Sequence, residues 1–281
     1  MKEIFFAKLY LISTPIGNLN EISFRVLEAI KNMDYIASED TRVSGNLLFL
    51  YKIKKKFISC HKYNEVKASS KIIKLIKEGK KIAYMCDAGT PCISDPGQIL
   101  VKKCIENGID IVPIGCSSAL INIAIISGFD IKHFYFHGFL EKTREKRKNE
   151  LKELSLKYET IIFFEAPHRL KKTLEDMVEI FGDRRICIGR EITKIHEEFI
   201  RGTVKNVLEQ LDKKQLKGEF SIAVEGKDEN FANAINKQEI IDKINFFKKK
   251  EKLNLKEAIK KTSLFYKIHK NEVYKIYFLK K

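Results

Sequence analysis

Ionisable side chains gather in this chain where apolar runs end. Glu39-Asp40-Thr41-Arg42 follows Tyr35-Ile36-Ala37, His61 with Asn64-Glu65 follows Lys56–Cys60, and Glu165-Ala166-Pro167-His168-Arg169 follows Thr160–Phe164. A carboxylate beside an arginine can take a proton from a hydroxyl while the guanidinium holds an anion or orients the acid. The bland alternative is a helix start, with Asp40 or Thr41 as cap and Arg42 paired to a neighbour. One such cluster is ordinary; 39–42 and 61–65 with the loop at 87–97, three at successive strand ends, point to the shared rim of a site. His168 alone would read as a structural histidine, but beside Glu165 and Arg169 it is a site candidate.

Other strand ends carry loops of low bulk. Residues 87–97, Asp-Ala-Gly-Thr-Pro-Cys-Ile-Ser-Asp-Pro-Gly, follow the apolar run 81–86 and precede a helix-period segment from Gln98 to Asn107. Two glycines and two prolines make this loop stiff and thin, so its backbone can approach a ligand closely. Asp95-Pro96 reads as the cap and first turn of the helix. Asp87, at the strand end, reads as a ligand acceptor or a brace for the loop. Thr14-Pro15-Ile16-Gly17-Asn18-Leu19 is a second Pro/Gly turn, and Gly115-Cys116-Ser117-Ser118-Ala119 opens an apolar helix, Ala119–Ser127, expected to be buried. No G-x-x-x-x-G-K-[ST] and no G-x-G-x-x-G occurs, which argues against nucleoside triphosphates and Rossmann dinucleotides.

The elements that must position these loops alternate strand and helix up to residue 127. Strands at 8–13, 35–37, 56–60, 81–86 and 109–112 predict a parallel sheet with helices on its faces. Gly128-Phe129-Asp130 reads as a hinge into a second α/β unit, 128–226, with strands at 133–138, 160–164, 185–189 and 220–224 and an edge hairpin near 197–202. Its first helix, 141–157, carries Lys142, Arg144, Lys146, Arg147 and Lys148, which reads as a solvated face or a phosphate contact. Residues 227–236 read as a linker, and 237–281 as two or three short amphipathic helices. The expected organisation is an N-terminal domain 1–127, a second domain 128–226 and a C-terminal helical module 227–281.

The chain has 281 residues and a formal charge of +16, which favours a polyanionic partner, nucleic acid first. Of its basic residues 44 are Lys and 9 are Arg, so the arginines are the more informative. Residues 227–281 hold 15 Lys against 7 acids, consistent with a packing module of biased composition or with a helix-turn-helix-like RNA-contact appendage. The six cysteines show no C-x-x-C pair and no zinc-like grouping with histidine, so no metal site is expected and the thiols read as core residues of a reduced, cytosolic protein. The run Ile4–Ala7 is too short for a signal peptide, and no stretch approaches a membrane span.

Taken in order, the motifs at 14–19, 39–42, 61 with 64–65, 87–97, 165–169, and Thr193-Lys194 through His196-Glu197-Glu198 to Gly202 resemble the bacterial small-subunit ribosomal RNA methyltransferase I family, among the tetrapyrrole-methylase-like S-adenosylmethionine enzymes. The resemblance covers nearly the whole chain. It implies two α/β domains with the cofactor in the cleft between them, a small C-terminal helical module, a homodimer, and 2′-O-methylation of a cytidine in the decoding region of small-subunit ribosomal RNA. Carried over residue by residue, it implies cofactor contacts at Pro15, Ile16, Gly17, Asp87, Ala88, Gly89, Thr90, Ile93, Ser117, Ser118, Ala119, Glu165 and Ala166. His61, His168 and Arg169 are candidate RNA contacts. The family opens its third loop with Pro-Gly; here Ile114-Gly115 stands, with proline displaced to Pro113, so that turn is built differently.

Methyl transfer from a sulfonium is an in-line displacement in which positioning dominates and water must be kept out. A ribose hydroxyl is a poor nucleophile near neutrality, so an acceptor for its proton helps. Glu39, Asp40, Glu165 and His168 are the available groups; an acid of the Glu39-Asp40 pair is preferred, with Arg42 holding a phosphate or orienting it. Two other readings are a methylase of tetrapyrroles or other small acceptors on the same fold, and a non-catalytic RNA-binding protein. Binding of S-adenosylmethionine, and its response to RNA, separates them.

Overall fold

Ile82, Ala83, Tyr84 and Met85 are all fully buried, and a strand apolar at every position must be covered on both faces. The computed structural model describes residues 8–115, 117–212, 216–227, 237–266 and 268–278. It builds around Ile82–Met85 (β4) a five-stranded sheet in the order β3-β2-β4-β1-β5, with β1 at Leu9–Ile12, β2 at Tyr35–Ser38, β3 at Lys56–Ser59 and β5 at Ile111–Ile114. Every pairing in it is parallel. Alternate residues of β4 feed opposite cores: Ala83 and Met85 pack with Val26, Ala29 and Ile30 of α1 (Phe24–Asn32) and Leu48 of α2 (Thr41–Leu50), while Ile82 and Tyr84 pack with Ile72 and Ile76 of α3 (Glu65–Lys77) and Leu100 and Cys104 of α4 (Gln98–Glu106). The neighbouring strands β1 and β4 therefore send their helices to opposite faces. That is the switch point at which open α/β sheets bind ligands, beyond the carboxyl ends of the strands.

The chain divides into two units, the first comprising Met1–Asn122 with Arg190–Glu198, the second Ile123–Gly189 with Phe199–Lys281. In the second, a sheet of order β6-β7-β10-β8-β9 joins Phe134–Phe139, Thr160–Glu165, Phe220–Val224, Arg185–Arg190 and Glu198–Thr203. β6 and β7 run parallel, and β10 enters antiparallel to β7. Leu151 and Leu154 of α6 (Arg144–Leu154), Leu170, Leu174 and Met177 of α7 (Pro167–Phe181) and Val204, Val207 and Leu211 of α8 (Val204–Asp212) share one core with Ile161, Phe163 and Ile222. Helices α9 (Lys237–Lys250), α10 (Leu255–Tyr266) and α11 (Lys270–Phe278) enclose a core of their own around Ile244, Phe247, Ile259 and Val273. The predicted linker lies, beyond Lys227, outside the described residues, as do Cys116 and the run Ile4–Ala7.

Several expectations are corrected. β5 begins two residues later than its apolar pattern indicates and takes in Pro113, which the strand tolerates because it lies at the sheet edge, where a missing N–H need not break a central ladder. The helix α5 (Ala119–Ser127) is not buried throughout: Ile123 and Ala124 are covered, but Ile121, Ile125 and Ile126 are 48, 64 and 38 % exposed. The basic run at 142–148 is not wholly a free solvated face. Arg147, itself buried, and Arg144 both bind Asp176 of α7, and Lys148 pairs with Glu179, so three of its five cations form a seam between two helices. Four cysteines are core residues as expected, and burial pushes the Cys60 and Cys104 thiols up to about 12 and about 11.

Candidate active site

Beyond the carboxyl ends of β1 and β4 the two loops are tied to each other. Thr14 and Gly89 exchange backbone hydrogen bonds of 2.8 and 3.1 Å, and Ser13 Oγ donates to Thr90 Oγ1 at 3.1 Å. Pro15 and Ile16 are buried beneath this junction, whereas Asp87 and Ala88 stand exposed above it. Gly17 is closed over by the segment that returns from the later chain: a Cβ there would lie 2.3 Å from Lys194 Cγ. The Asn18 N–H donates to Thr193 Oγ1 at 3.1 Å, and Thr193 is in turn held by Glu197, whose carboxylate accepts its N–H at 2.7 Å. In the third loop Asn122 fixes Ser117 and Ser118, its Nδ2 donating to Ser117 Oγ at 3.0 Å and its N–H to the Ser118 carbonyl at 2.9 Å, just before Ala119 opens α5.

The loop 87–97 is set by a residue the sequence does not single out for this work. Asp95 is not the cap of α4; Gly97 is, with a φ of 128° that bars a side chain, since a Cβ would meet Cys92 Sγ and Tyr84 at 2.8 Å. With no capping side chain of its own, α4 uses Glu65. The buried Glu65 carboxylate accepts from the N–H groups of Gly97, Ile99 and Leu100 at 3.0, 2.8 and 3.1 Å, placing a negative charge on the helix N-terminus. The Ile93 N–H donates to the Thr90 carbonyl at 3.4 Å, and Gly89, Cys92 and Ser94 take positive φ, so the loop is a tight coil.

Four acids crowd the same rim, and the structure gives them different tasks. Asp40 caps α2, its Oδ1 accepting from the Arg42 N–H at 2.8 Å, and both its oxygens hold the Arg42 guanidinium, at 3.1 and 2.6 Å. These bonds hold the Asp40 carboxyl at about 2, which makes it a poor proton acceptor; of the preferred pair, only Glu39 is left for that role. Asp87 accepts the Asp40 N–H at 3.1 Å and so ties the β2 loop to the β4 loop. Burial raises the Glu39 carboxyl, the negative charges of Asp87 and Asp40 raise it further, and His61 opposes them. Burial, with Glu39 as the next cause, pushes Asp95 up to about 6. His61 is positioned through its own N–H, which donates to Asn64 Oδ1 at 2.8 Å.

In the second unit Glu165 and Arg169 do not present free groups. Glu165 is 2 % exposed; its Oε1 accepts the Ala166 N–H at 2.8 Å and pairs with Arg169 Nε at 3.2 Å, and its Oε2 accepts from Thr173 Oγ1 at 2.7 Å. Arg169 also donates to the carbonyls of Leu140 and Glu141 at 2.7 and 2.9 Å. Both polar backbone atoms of Ala166 are engaged as well, the carbonyl accepting from Arg169 and Leu170. These residues brace the start of α7, and both oxygens of the Glu165 carboxylate are engaged there rather than open to a substrate proton. His168, in contrast, is exposed.

Residues 8–208 match the family model of the tetrapyrrole (corrin/porphyrin) methylases. The chain belongs to that family. Among its curated relatives is a ribosomal RNA small subunit methyltransferase I of Bacillus subtilis, 41 % identical over 97 % of this chain and 94 % of the relative. The enzyme of the same description from Thermotoga maritima is 43 % identical over 79 % of this chain and 99 % of the relative. Among solved structures, a cobalt-precorrin-4 methyltransferase of cobalamin biosynthesis covers 78 % of this chain and 95 % of its own at a TM-score of 0.60; at 18 % identity that likeness shows the fold alone. This methylase is therefore a transferase needing a methyl donor.

Proposed function

We propose that the protein transfers the methyl group of S-adenosylmethionine to the 2′-oxygen of a cytidine ribose in the decoding region of small-subunit ribosomal RNA, as a cytoplasmic homodimer. The observation that carries the mechanism is the division of labour among the rim acids: Asp40 is consumed by its cap and Arg42, while Glu39 keeps a raised proton affinity. The acceptor class is supported by relatives whose names specify ribosomal RNA and whose likeness extends over nearly the whole chain.

The residues fit such a cofactor. Its sulfonium and ammonium are cationic, and Asp87 and Asp95 offer crowded carboxylates whose mutual repulsion a cation relieves. Ala88 and Gly89, with Pro15 and Ile16 beneath, leave a floor of small and apolar groups. When bound, S-adenosylmethionine supplies a methyl carbon made electrophilic by the positive sulfur. Glu39 would take the proton of the attacking hydroxyl as the carbon–oxygen bond forms and the methyl–sulfur bond breaks, the sulfur departing as a neutral thioether. Arg42, whose side chain is 88 % exposed on its Asp40 anchor, holds a backbone phosphate of the RNA. His61 and His168 supply further RNA contacts, and the loops tied at Thr14–Gly89 and Ser13–Thr90 keep the reacting groups in register.

The test is transfer of labelled methyl from S-adenosylmethionine to small ribosomal subunits from cells lacking the enzyme, followed by nuclease mapping. Label in an alkali-resistant, cytidine-containing dinucleotide of the decoding region is expected. Cofactor binding without labelled RNA would move the search to small-molecule or protein acceptors. Glu39→Gln is expected to bind the cofactor normally and to slow transfer by about 10²–10⁴-fold; unchanged transfer would remove Glu39 from the mechanism.

A further inference from the structure

Helices α10 and α11 are joined across three residues, the spacing of a helix-turn-helix pair, and enclose a groove of about 490 Å³. Its walls are Leu255 and Ile259 on one side and the Tyr274 ring on the other, with Lys256, Lys270 and Asn271 at the rim. The volume suits a small organic group. The composition specifies which: an apolar slot beside an aromatic face takes a planar base, two ammonium groups take phosphate, and an amide reads a base edge.

The ring of Tyr274 differs from the exposed rings of Phe265 and Phe246 in the same module. Lys243 sits over Phe265 at 3.8 Å and Lys250 over Phe246 at 5.3 Å, so those faces already carry cations. Tyr274 packs on Phe278 at 4.4 Å, with ring planes 35° apart, and is 51 % exposed; among the described residues no cation lies over it. Nor, among the described residues, does a carboxylate pair with Lys256 or Lys270, whereas Lys261 nearby is bound to Glu251. Two unneutralised lysines flanking an open ring are complementary to a single-stranded nucleotide and not to a neutral or cationic partner. The module also lies outside the matched methylase core, which ends at residue 208, so the groove is not needed to build the cofactor rim.

We propose that this groove is a docking site for an unpaired nucleotide of the RNA substrate, with its base stacked on Tyr274 and its flanking phosphates on Lys256 and Lys270. The proposal deepens, and rests on, the ribosomal RNA reading above. It makes the C-terminal module a tether that raises affinity for the substrate without entering the chemistry.

The test uses the full-length protein and a labelled, non-self-complementary 12-nucleotide RNA, read by fluorescence anisotropy over a salt series. A duplex of the same sequence serves as comparison. Tyr274→Ala is expected to weaken single-strand binding by about 5- to 150-fold, the range for loss of one base–aromatic stack, while Tyr274→Phe stays within about twofold of wild type. The pair Lys256→Ala/Lys270→Ala should lower the slope of log affinity against log salt by about 1.4, or about 0.7 per phosphate. In methyl transfer to subunits, KM rises in these variants and kcat holds. Single-strand binding unaffected by Tyr274→Ala in a protein that melts like wild type would overturn the proposal, as would duplex bound as tightly as single strand. If Tyr274→Ala melts early, the lysine pair, outside the hydrophobic core, decides alone. Subunits labelled at a wild-type KM by the variants would sink the groove and leave the ribosomal RNA reading intact. Oligonucleotide affinity lost in the variants, with no subunit labelled by wild type, would keep the groove and sink the substrate assignment.

Discussion

Replacing Glu65 tests whether the loop at 87–97 is held from a distance. Three N–H groups at the start of α4 share one carboxylate oxygen, and those of Gly97 and Leu100 are shut away from water. Loss of an ordinary cap costs about 1 kcal/mol, and each buried donor left unpaired adds about 1–3 kcal/mol. The Ile99 N–H lies nearer solvent and recovers a water. Glu65→Ala should therefore cost about 3–7 kcal/mol. Glu65→Gln keeps an acceptor but loses the charge on the helix end, and should cost about 1–2 kcal/mol. Urea unfolding reads both, through the shift in midpoint at constant slope. The same variants should bind S-adenosylmethionine more weakly than wild type, with Ala worse than Gln, because the loop carrying Asp87, Ala88 and Gly89 is released at its far end. An Ala variant within about 0.5 kcal/mol of wild type would show that the helix start finds its acceptors elsewhere and would refute the reasoning.

Asp95, pushed up to about 6 chiefly by burial, prefers to be protonated in the folded chain. A raised carboxyl contributes stability that is complete below its unfolded value of 3.8 and lost as pH climbs through 6. Asp95→Asn should then stabilise the protein at pH 7.5 by about 1 kcal/mol, allowing for solvent screening at a partly exposed group, or about 2–4 °C in Tm. The gain should vanish near pH 4; an equal gain at both pH values would show that the carboxyl is not strained by ionisation. Gly17→Ala places a Cβ 2.3 Å from Lys194 Cγ with no positive φ to complicate the backbone, so its effect is steric. It should loosen the Asn18–Thr193 bond and speed tryptic cleavage after Lys194, and Lys194→Gly should suppress the extra stability loss.

What the sequence discloses here depends on whether the determining contacts are local. The strands β2, β3 and β4 and the helix α5 are found within a residue or so of their apolar patterns, and in β4 burial on both faces writes a short continuous run into the chain. Helix α8 is legible in Val204, Val207, Leu208 and Leu211, an i, i+3, i+4, i+7 set that the edge hairpin preceding it hides. Harder to read is the sorting of acids within the rim. Asp95-Pro96 has every local mark of a helix cap, and Glu165-Arg169 every mark of a site, yet the first is displaced from its cap by Glu65, 30 residues upstream, and the second is absorbed by Thr173 and the carbonyls of Leu140 and Glu141. A carboxylate's role is fixed by which donors reach it, and those donors come from separate strands of the sheet. Residue types at a strand end therefore mark where chemistry gathers, while the choice of Glu39 over Asp40 waits on one hydrogen-bond pattern that only the folded chain contains.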